Sequence, residues 1–342
     1  MTQTIEQTST TKTTTSNTKD TVVVSFVIPA LNEEKWVSDC IDSVQSLTLP
    51  AIVGQIEIIV VDNQSTDQTV PISRQKGAAV VSCPPGNPSR ARNAGAEQAI
   101  GDWIAFVDAD CHLDKDWLVQ CAEALVPHEV IAVGSQIAPP KDSSSWVTHT
   151  LGQLAHQDGN VKPTQVRWLP TAGLIVKKEP FDAIDGFDER LITCEDCDLG
   201  YRLSDRGKLI LVPEATLIHY GESKSLNQVL WREAWRTGGN LRLAISRPSD
   251  LRNWISLLLP VAFAFFVLVG VLGTVCAFAG IGSPLPSIGV LLLGGAIPLV
   301  LSLRKLKHSI SIGQLMCRWM VMITFLAGRA LGLVWRFPRV ER

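Results

Sequence analysis

Two carboxylates at i and i+2, Asp108 and Asp110, directly follow the apolar run at residues 103–107. Acids so spaced beyond a strand can share one hard divalent cation with phosphate oxygens. They can equally form an acidic turn capping a helix at residues 115–126. Other chemistry-bearing residues stand at the ends of other apolar runs: Pro29, Asn32 and Glu33 after one, Asp62 after a second, His219 after a third at residues 209–218. His219 reads as a cation ligand or as a polar strand terminator. Glu195 and Asp196 form a further acidic pair, behind Thr193 in a spacing that also fits a helix capping box. Neither GxGxxG nor GxxxxGK[ST] occurs, so a bound phosphate needs another partner, such as a cation or Arg92.

Positioning these residues requires strand ends on one edge. Residues 22–29, 56–62, 78–82 and 103–107 read as buried strands, with helix-like stretches at 35–46 and 89–99 between them. That rhythm predicts βαβ units and a mainly parallel sheet in an α/β fold, with ligands held beyond the carboxyl ends of the strands. Residues 1–20 are mainly Thr, Ser, Gln, Asn and Lys, which predicts a disordered tail, and they hold no apolar run of a signal peptide. A net charge of -2 gives no broad basic surface for DNA or RNA, so nucleic acid is not an expected partner. Eight scattered cysteines in a chain this long suit reduced thiols and the cytosol.

From residue 22 to residue 239 the sequence resembles glycosyltransferase family 2, whose catalytic domain has the nucleotide-sugar-binding GT-A fold. The motifs that carry the resemblance stand in the family's order. They are Val27-Ile28-Pro29-Ala30-Leu31-Asn32-Glu33-Glu34, Ile59-Val60-Val61-Asp62-Asn63-Gln64-Ser65-Thr66-Asp67, Arg90-Ala91-Arg92-Asn93, Phe106-Val107-Asp108-Ala109-Asp110, and Gly186-Phe187-Asp188-Glu189 leading to Glu195-Asp196. The resemblance implies a sugar transferase that takes a nucleotide-diphosphate-sugar donor and a divalent cation, Mn2+ or Mg2+. It places Pro29, Asn32 and Glu33 in a nucleotide-facing loop, Asp62 on the base, Asp108 on the donor's sugar or ribose, and Asp110 on the metal with His219 completing the site. It further implies that Asp196 is the base that deprotonates the acceptor, with Glu195 beside it, and that the reaction inverts the anomeric centre. Arg92 is a donor-phosphate contact or a solvated helix cation, and Asp67 a donor-loop residue or a helix cap. Gln64 stands where the family often has Gly.

Cys194 and Cys197 form a CxxC with no second pair to complete a four-thiolate zinc site, so packing beside the acidic pair is the expectation. Asn63-Gln64-Ser65 is a formal glycosylation sequon inside the expected donor loop and is discounted. Gln228-Val229-Leu230-Trp231-Arg232 reverses the last pair of the Gln-x-x-Arg-Trp of related processive synthases, which argues against processivity. Residues 226–245 are expected to form a helix whose Trp and Arg residues cover an acceptor or lie against domain or membrane.

Residues 254–280 are an uncharged stretch of about 27 residues, enough to cross a hydrocarbon core of about 30 Å. Residues 286–303 are also uncharged and are followed by Arg304, Lys305 and Lys307, while Arg247 and Arg252 precede the first stretch. Basic flanks at both outer ends predict a hairpin with both ends in the cytosol. In residues 310–335, Gln314, Arg318, Arg329 and Arg336 share one helical side opposite Met320, Leu326 and Leu331, as in an interfacial helix. A third span would place Arg336, Arg339 and Arg342 outside, against the charge bias.

The expected organisation is a tail at 1–20, a GT-A domain at 21–246, a two-helix membrane hairpin at 247–308, and an interfacial or third spanning helix at 309–342. It implies a multi-pass protein of the cell's inner membrane with a cytoplasmic catalytic domain, in contact with membrane lipid and a glycan or lipid-linked acceptor. A polyprenyl-phosphate sugar transferase, a non-catalytic nucleotide-sugar-binding protein and a transport component are the competing readings.

Overall fold

The computed structural model describes residues 21–140, 143–155, 162–303 and 310–334. The tail expected at residues 1–20 and the cations Arg304, Lys305, Lys307, Arg336, Arg339 and Arg342 lie outside the described residues. The chain begins with alternating elements: β1 (Val22–Ala30), α1 (Val37–Gln45), β2 (Val53–Asp62), α2 (Thr69–Gln75), β3 (Ala79–Ser82), α3 (Pro88–Gln98) and β4 (Trp103–Phe106). It continues through β5 (Cys111–Leu113), α4 (Trp117–Leu125), β6 (Val130–Ala138), α5 (Trp146–Ala155), β7 (Thr164–Val166), β8 (Leu174–Lys177), α6 (Lys178–Asp182), α7 (Glu195–Ser204) and β9 (Lys208–His219). Four longer helices follow: α8 (Leu226–Ser246), α9 (Leu251–Phe278), α10 (Pro284–Leu303) and α11 (Ile312–Val334).

The strands form one sheet in the order β3-β2-β1-β4-β8-β6-β9-β5, with β7 beside β9. The expected parallel pairing holds throughout β3-β2-β1-β4. Beyond β4 the sheet is mixed: β8 is antiparallel to both β4 and β6, while β6 and β9 are parallel. The reason lies in where β8 starts. Leu174 pairs with Phe106 at the carboxyl end of β4, so the chain enters from that edge and can only run back.

Alternation sorts the strand side chains onto two covered faces, as a sheet with helices on both sides demands. Phe26 and Ile28 of β1 join the core under α1 and α4, while Val27, Val61 and Phe106 join the core under α3 and α6. α3 starts where Asn87 accepts a hydrogen bond from the Arg90 amide and Pro88 occupies the first turn. On its face of the sheet, Phe106, Phe181 and Phe187 form a triangle with ring centroids 5.1 to 5.7 Å apart.

Three helices, α9, α10 and α11, are long and apolar enough to cross a membrane. α9 and α10 pack as a hairpin whose turn holds Gly280 and Gly282 at positive φ. α11 packs along α8 and also touches α5, α9 and α10. Its polar stripe is divided: Arg318 is 3% exposed, whereas Gln314 lies at the surface with Met316 and Met320. Leu326, on the side expected to be apolar and outward, is buried as well. The inward turn of Arg329 follows from the Glu233 carboxylate that α8 offers it, which a helical wheel of α11 alone does not contain.

Phe187 is 2% exposed, so Phe187→Ala should destabilise the domain by about 3–5 kcal/mol through the cavity left in the aromatic triangle. Denaturation of the detergent-solubilised protein checks this. A loss below about 1 kcal/mol would mean that the site collapses and the triangle is not a support.

Candidate active site

The carboxyl ends of β1, β2 and β4 lie side by side, and each is followed by acid-bearing loops. The loop after β1 is laced to the loop after β2. The Asn32 amide donates to Ser65 Oγ at 3.0 Å, the Glu33 amide to Thr69 Oγ1 at 2.7 Å, and the Glu34 amide to Asp67 at 3.0 Å. Asn32 itself has a φ of 57° and accepts from the Thr66 amide at 2.8 Å. Its side chain is therefore spent on holding the loops together. Asp67 does likewise, accepting also from the amide and hydroxyl of Thr69. Burial works against its charge, but those donors hold its carboxyl below the usual range.

Asp62 ends β2 and is 7% exposed; it accepts from the Ser65 amide at 2.9 Å, and Pro29 pairs with the neighbouring Val61 across the strands. Gln64 has a φ of 69°, the left-handed region, which accounts for glycine as the residue expected there. The Asn63 side chain is 8% exposed and both its ends bind the Gly86 backbone, so the sequon is not presented at the surface.

Arg92 is not a solvated helix cation. It is 4% exposed on α3, with Nη2 2.7 Å from Asp108 and Nη1 3.1 Å from Glu195. Its guanidinium also lies over the Phe187 ring at 5.6 Å. Burial opposes ionisation of Asp108, yet Arg92 and His219 bring its carboxyl below the usual range. The neighbouring Asn93 clasps the Phe187 backbone, accepting from its amide and donating to its carbonyl, both at 2.9 Å. The Arg90–Asn93 and Gly186–Glu189 stretches thus form one clasp under the acidic edge.

Asp110 and His219 come together because Cys111 of β5 pairs with His219 of β9. His219 Nε2 lies 3.3 Å from Asp110, and its Nδ1 lies 3.5 Å from Glu222, in ion-pair range without hydrogen-bond alignment. Glu222 is in turn 2.9 Å from Arg232 on α8. Burial works against the imidazolium, but Asp110 and Glu222 outweigh it and carry His219 up to about 10. Burial likewise opposes the Glu222 charge, and His219 and Arg232 bring its carboxyl down to about 2. A Cβ on Gly221 would collide with Asp110 Oδ2, so glycine is required for this approach. Glu33 faces the same acids: burial, then Asp110, Asp108 and Asp67, push it up to about 7.

Glu195 and Asp196 open α7. The capping-box geometry is not formed. Cys194 stands at the cap with a φ of 61° and no side-chain cap bond, while the Thr193 hydroxyl reaches the Arg236 carbonyl at 3.4 Å. Burial and the adjacent Glu195 raise Asp196 to about 6, against the nearby charges of Arg236 and Arg92. Cys194 and Cys197 are free thiols that pack beside it.

Residues 25–184 match the model of glycosyl transferase family 2. This is a family 2 glycosyltransferase domain. The match takes in Asp62, Arg92, Asp108 and Asp110 and stops short of Glu195, Asp196 and His219. Curated relatives include glycosyltransferase AglE of Haloferax volcanii, 26% identical over 54% of this chain and 62% of the relative. They also include the pre-mycofactocin glycosyltransferase of Mycobacterium tuberculosis, 25% identical over 47% of this chain and 36% of the relative. The chain thus spans less than two thirds of either. Among solved structures, the mannosyltransferase PcManGT of Pyrobaculum calidifontis, in complex with GDP-Man and Mn2+, shares the fold with a TM-score of 0.64 at 18% identity. That likeness covers 92% of this chain and 88% of the other, and so extends into the C-terminal helices.

The structure brings Glu33, Arg92, Asp108, Asp110, Glu195 and His219 into one cluster, with Asp62 at the neighbouring strand end. It adds Glu222, which the sequence reading missed. Its only local signal is a position three residues after His219, and its role depends on Arg232 arriving from α8.

A lysine at position 92 could reach only one of the two carboxylates, because it lacks the planar fork. Arg92→Lys should therefore lower stability by about 1–3 kcal/mol, the usual cost of an orphaned buried partner. Thermal denaturation reads this, and an unchanged transition would mean that water already solvates Asp108 and Glu195.

Proposed function

We propose that the chain is a metal-dependent, inverting glycosyltransferase that moves a sugar from a nucleotide-diphosphate-sugar donor to a glycan or lipid-linked acceptor at the cytoplasmic face of the cell's inner membrane. The observation that carries the reading is the convergence of Asp110 with His219, 3.3 Å apart, beside the Asp108–Arg92–Glu195 chain in a family 2 domain. The glycosyltransferase names of the relatives and the GDP-Man and Mn2+ of the mannosyltransferase with this fold support the same reading. A panel of nucleotide sugars, with released nucleoside diphosphate as the signal, tests it.

Asp110 and His219 suit a divalent ion such as Mn2+ or Mg2+: a carboxylate and an imidazole face each other, the imidazole has an unaligned nitrogen, and Gly221 leaves the carboxylate room. Cys111 lies within the same reach but is 1% exposed, and burial pushes its thiol well up, so it is packing. Bound there, the cation would offset charge on the departing nucleoside diphosphate. Asp62 fits the base's N–H, and Asp108, held by Arg92, fits the donor's sugar or ribose.

Asp196 is the group we assign to the acceptor proton. With its carboxyl raised to about 6 it is mostly ionised near neutrality and basic enough to accept a proton from a hydroxyl. That favours a hydroxyl acceptor over a polyprenyl phosphate, whose oxygen is already ionised. α9 and α10 would hold the domain at the membrane, with Trp231 and Trp235 of α8 each 42% exposed toward an interface.

Metal binding must displace the His219 proton, so Mn2+ affinity should rise with pH, by up to tenfold per unit, up to about 10. Asp110→Asn should abolish both that affinity and transfer. Calorimetric titration of Mn2+ across pH checks the first, and unchanged donor turnover in EDTA would remove the metal assignment.

Loss of the base predicts a different signature. Asp196→Asn should keep donor and metal affinity while lowering transfer by about a hundredfold or more. The wild-type rate should fall as pH drops through about 6, because protonation removes the base, and the variant should lose that limb. Near-normal transfer by the variant, or a product of retained anomeric configuration, would end this mechanism.

A further inference from the structure

We infer that α11 is part of the acceptor side of the site, and that Arg329 is a positioning residue that holds Arg236 beside Asp196 through Glu233. The inference rests on the reading of Asp196 as the base.

The join between α11 and α8 is built around a buried charge. Glu233 on α8 is 3% exposed, and each of its carboxylate oxygens meets a guanidinium: Oε1 lies 3.0 Å from Arg236 Nη1, and Oε2 lies 3.0 Å from Arg329 Nε. Removing one partner from a carboxylate so buried leaves part of its desolvation uncompensated. The backbones are pressed together around it. A Cβ on Gly328 would meet the Leu230 carbonyl, and one on Gly332 the Ala234 carbonyl and Thr237. Thr237 Oγ1 lies 3.0 Å from the Glu233 carbonyl and 3.1 Å from the Arg329 carbonyl and shares its proton between the helices. Two small residues four apart facing a partner backbone make a close, register-fixing contact.

α8 passes that register on to the site. Arg236 is the charge on α8 that faces Asp196, and its carbonyl accepts from Thr193 directly before the start of α7. One turn earlier, Arg232 holds Glu222 beside His219. The groups that face Asp196 are Glu195 on its own helix, the Cys197 amide and thiol, the Cys194 thiol, Arg92 from α3 and Arg236 from α8. Of the two cations, only Arg236 stands on a helix that α11 holds. Without Arg329, Glu233 would have Arg236 as its sole cation, and Arg236 would turn toward Glu233 and away from Asp196.

The full-length protein in detergent tests this with Arg329→Gln and Arg329→Lys. With Arg329→Gln, transfer should fall at least tenfold in kcat with donor KM unchanged. The acid limb of the pH profile should move upward, since Asp196 loses a neighbouring positive charge. Arg329→Lys should restore most of both. Loss of calorimetric donor affinity along with kcat would make Arg329 a residue that holds the fold together and would overturn the inference. So would an unmoved acid limb with normal kcat. Failure of the base reading is separable, because wild-type protein would then show no acid limb and Asp196→Asn would transfer normally.

Discussion

Like charges crowd one edge of the sheet, and the site exists because buried cations hold them there. Asp108 and Glu195 come from distant parts of the chain and share Arg92; Asp110 and Glu222 share His219, with Arg232 behind Glu222. In a setting this dry, each carboxylate left alone would take up a proton or swing out to water. Glu33 shows what happens to an acid that has no such partner. Burial and three neighbouring carboxylates raise it to about 7 against the pull of His219, so it is only about half ionised near neutrality. The edge is short of positive charge, which is the electrostatic condition that draws in a cation.

Arg92 can do this only because it is fixed from below. The Phe187 ring lies under its guanidinium, and Asn93, one residue on, pins the Phe187 backbone from both sides. The aromatic triangle in turn rests on β4, whose last residue is Phe106, two positions before Asp108. One short strand therefore sets both the acid and the floor under its counter-ion. This explains why two motifs almost a hundred residues apart in sequence work as one part.

The acids at the strand ends are legible in the sequence because their signals are local. Continuous apolar runs end in Asp62 and in Asp108-Ala109-Asp110, which places these acids at strand ends without any knowledge of contacts. What escaped depends on contacts between distant segments. Gln64 in a left-handed conformation, the antiparallel return of β8, and Cys194 in place of a capping Thr193 are set by how the chain is brought back onto the sheet. For Arg92 the sequence leaves a phosphate contact and a solvated cation equally open, because a helix three turns long says nothing of which side is covered. Contacts across helices divide the stripe of α11 as well: Arg329 turns toward the Glu233 carboxylate that α8 supplies, while Gln314 stays at the surface.

The limits of the family match divide the site along a physical line. Residues 25–184 hold Asp62, Asp108 and Asp110 at the ends of parallel strands whose geometry leaves little freedom, and Arg92 on α3. Glu195, Asp196, His219, Glu222, Arg232 and Arg236 lie beyond, on a helix start, a strand end, a loop and α8. His219 is held there by the pairing of β9 with β5, whereas Glu195 reaches Asp108 only through the side chain of Arg92, and α8 is itself held by α11. A change in the angle of α8 would shift Arg236 and Arg232 against a sheet that stays fixed. If Asp196 is the base, as proposed, its positioning depends on the join between the sheet and the C-terminal helices, where Thr193 meets Arg236 and Glu233 meets Arg329.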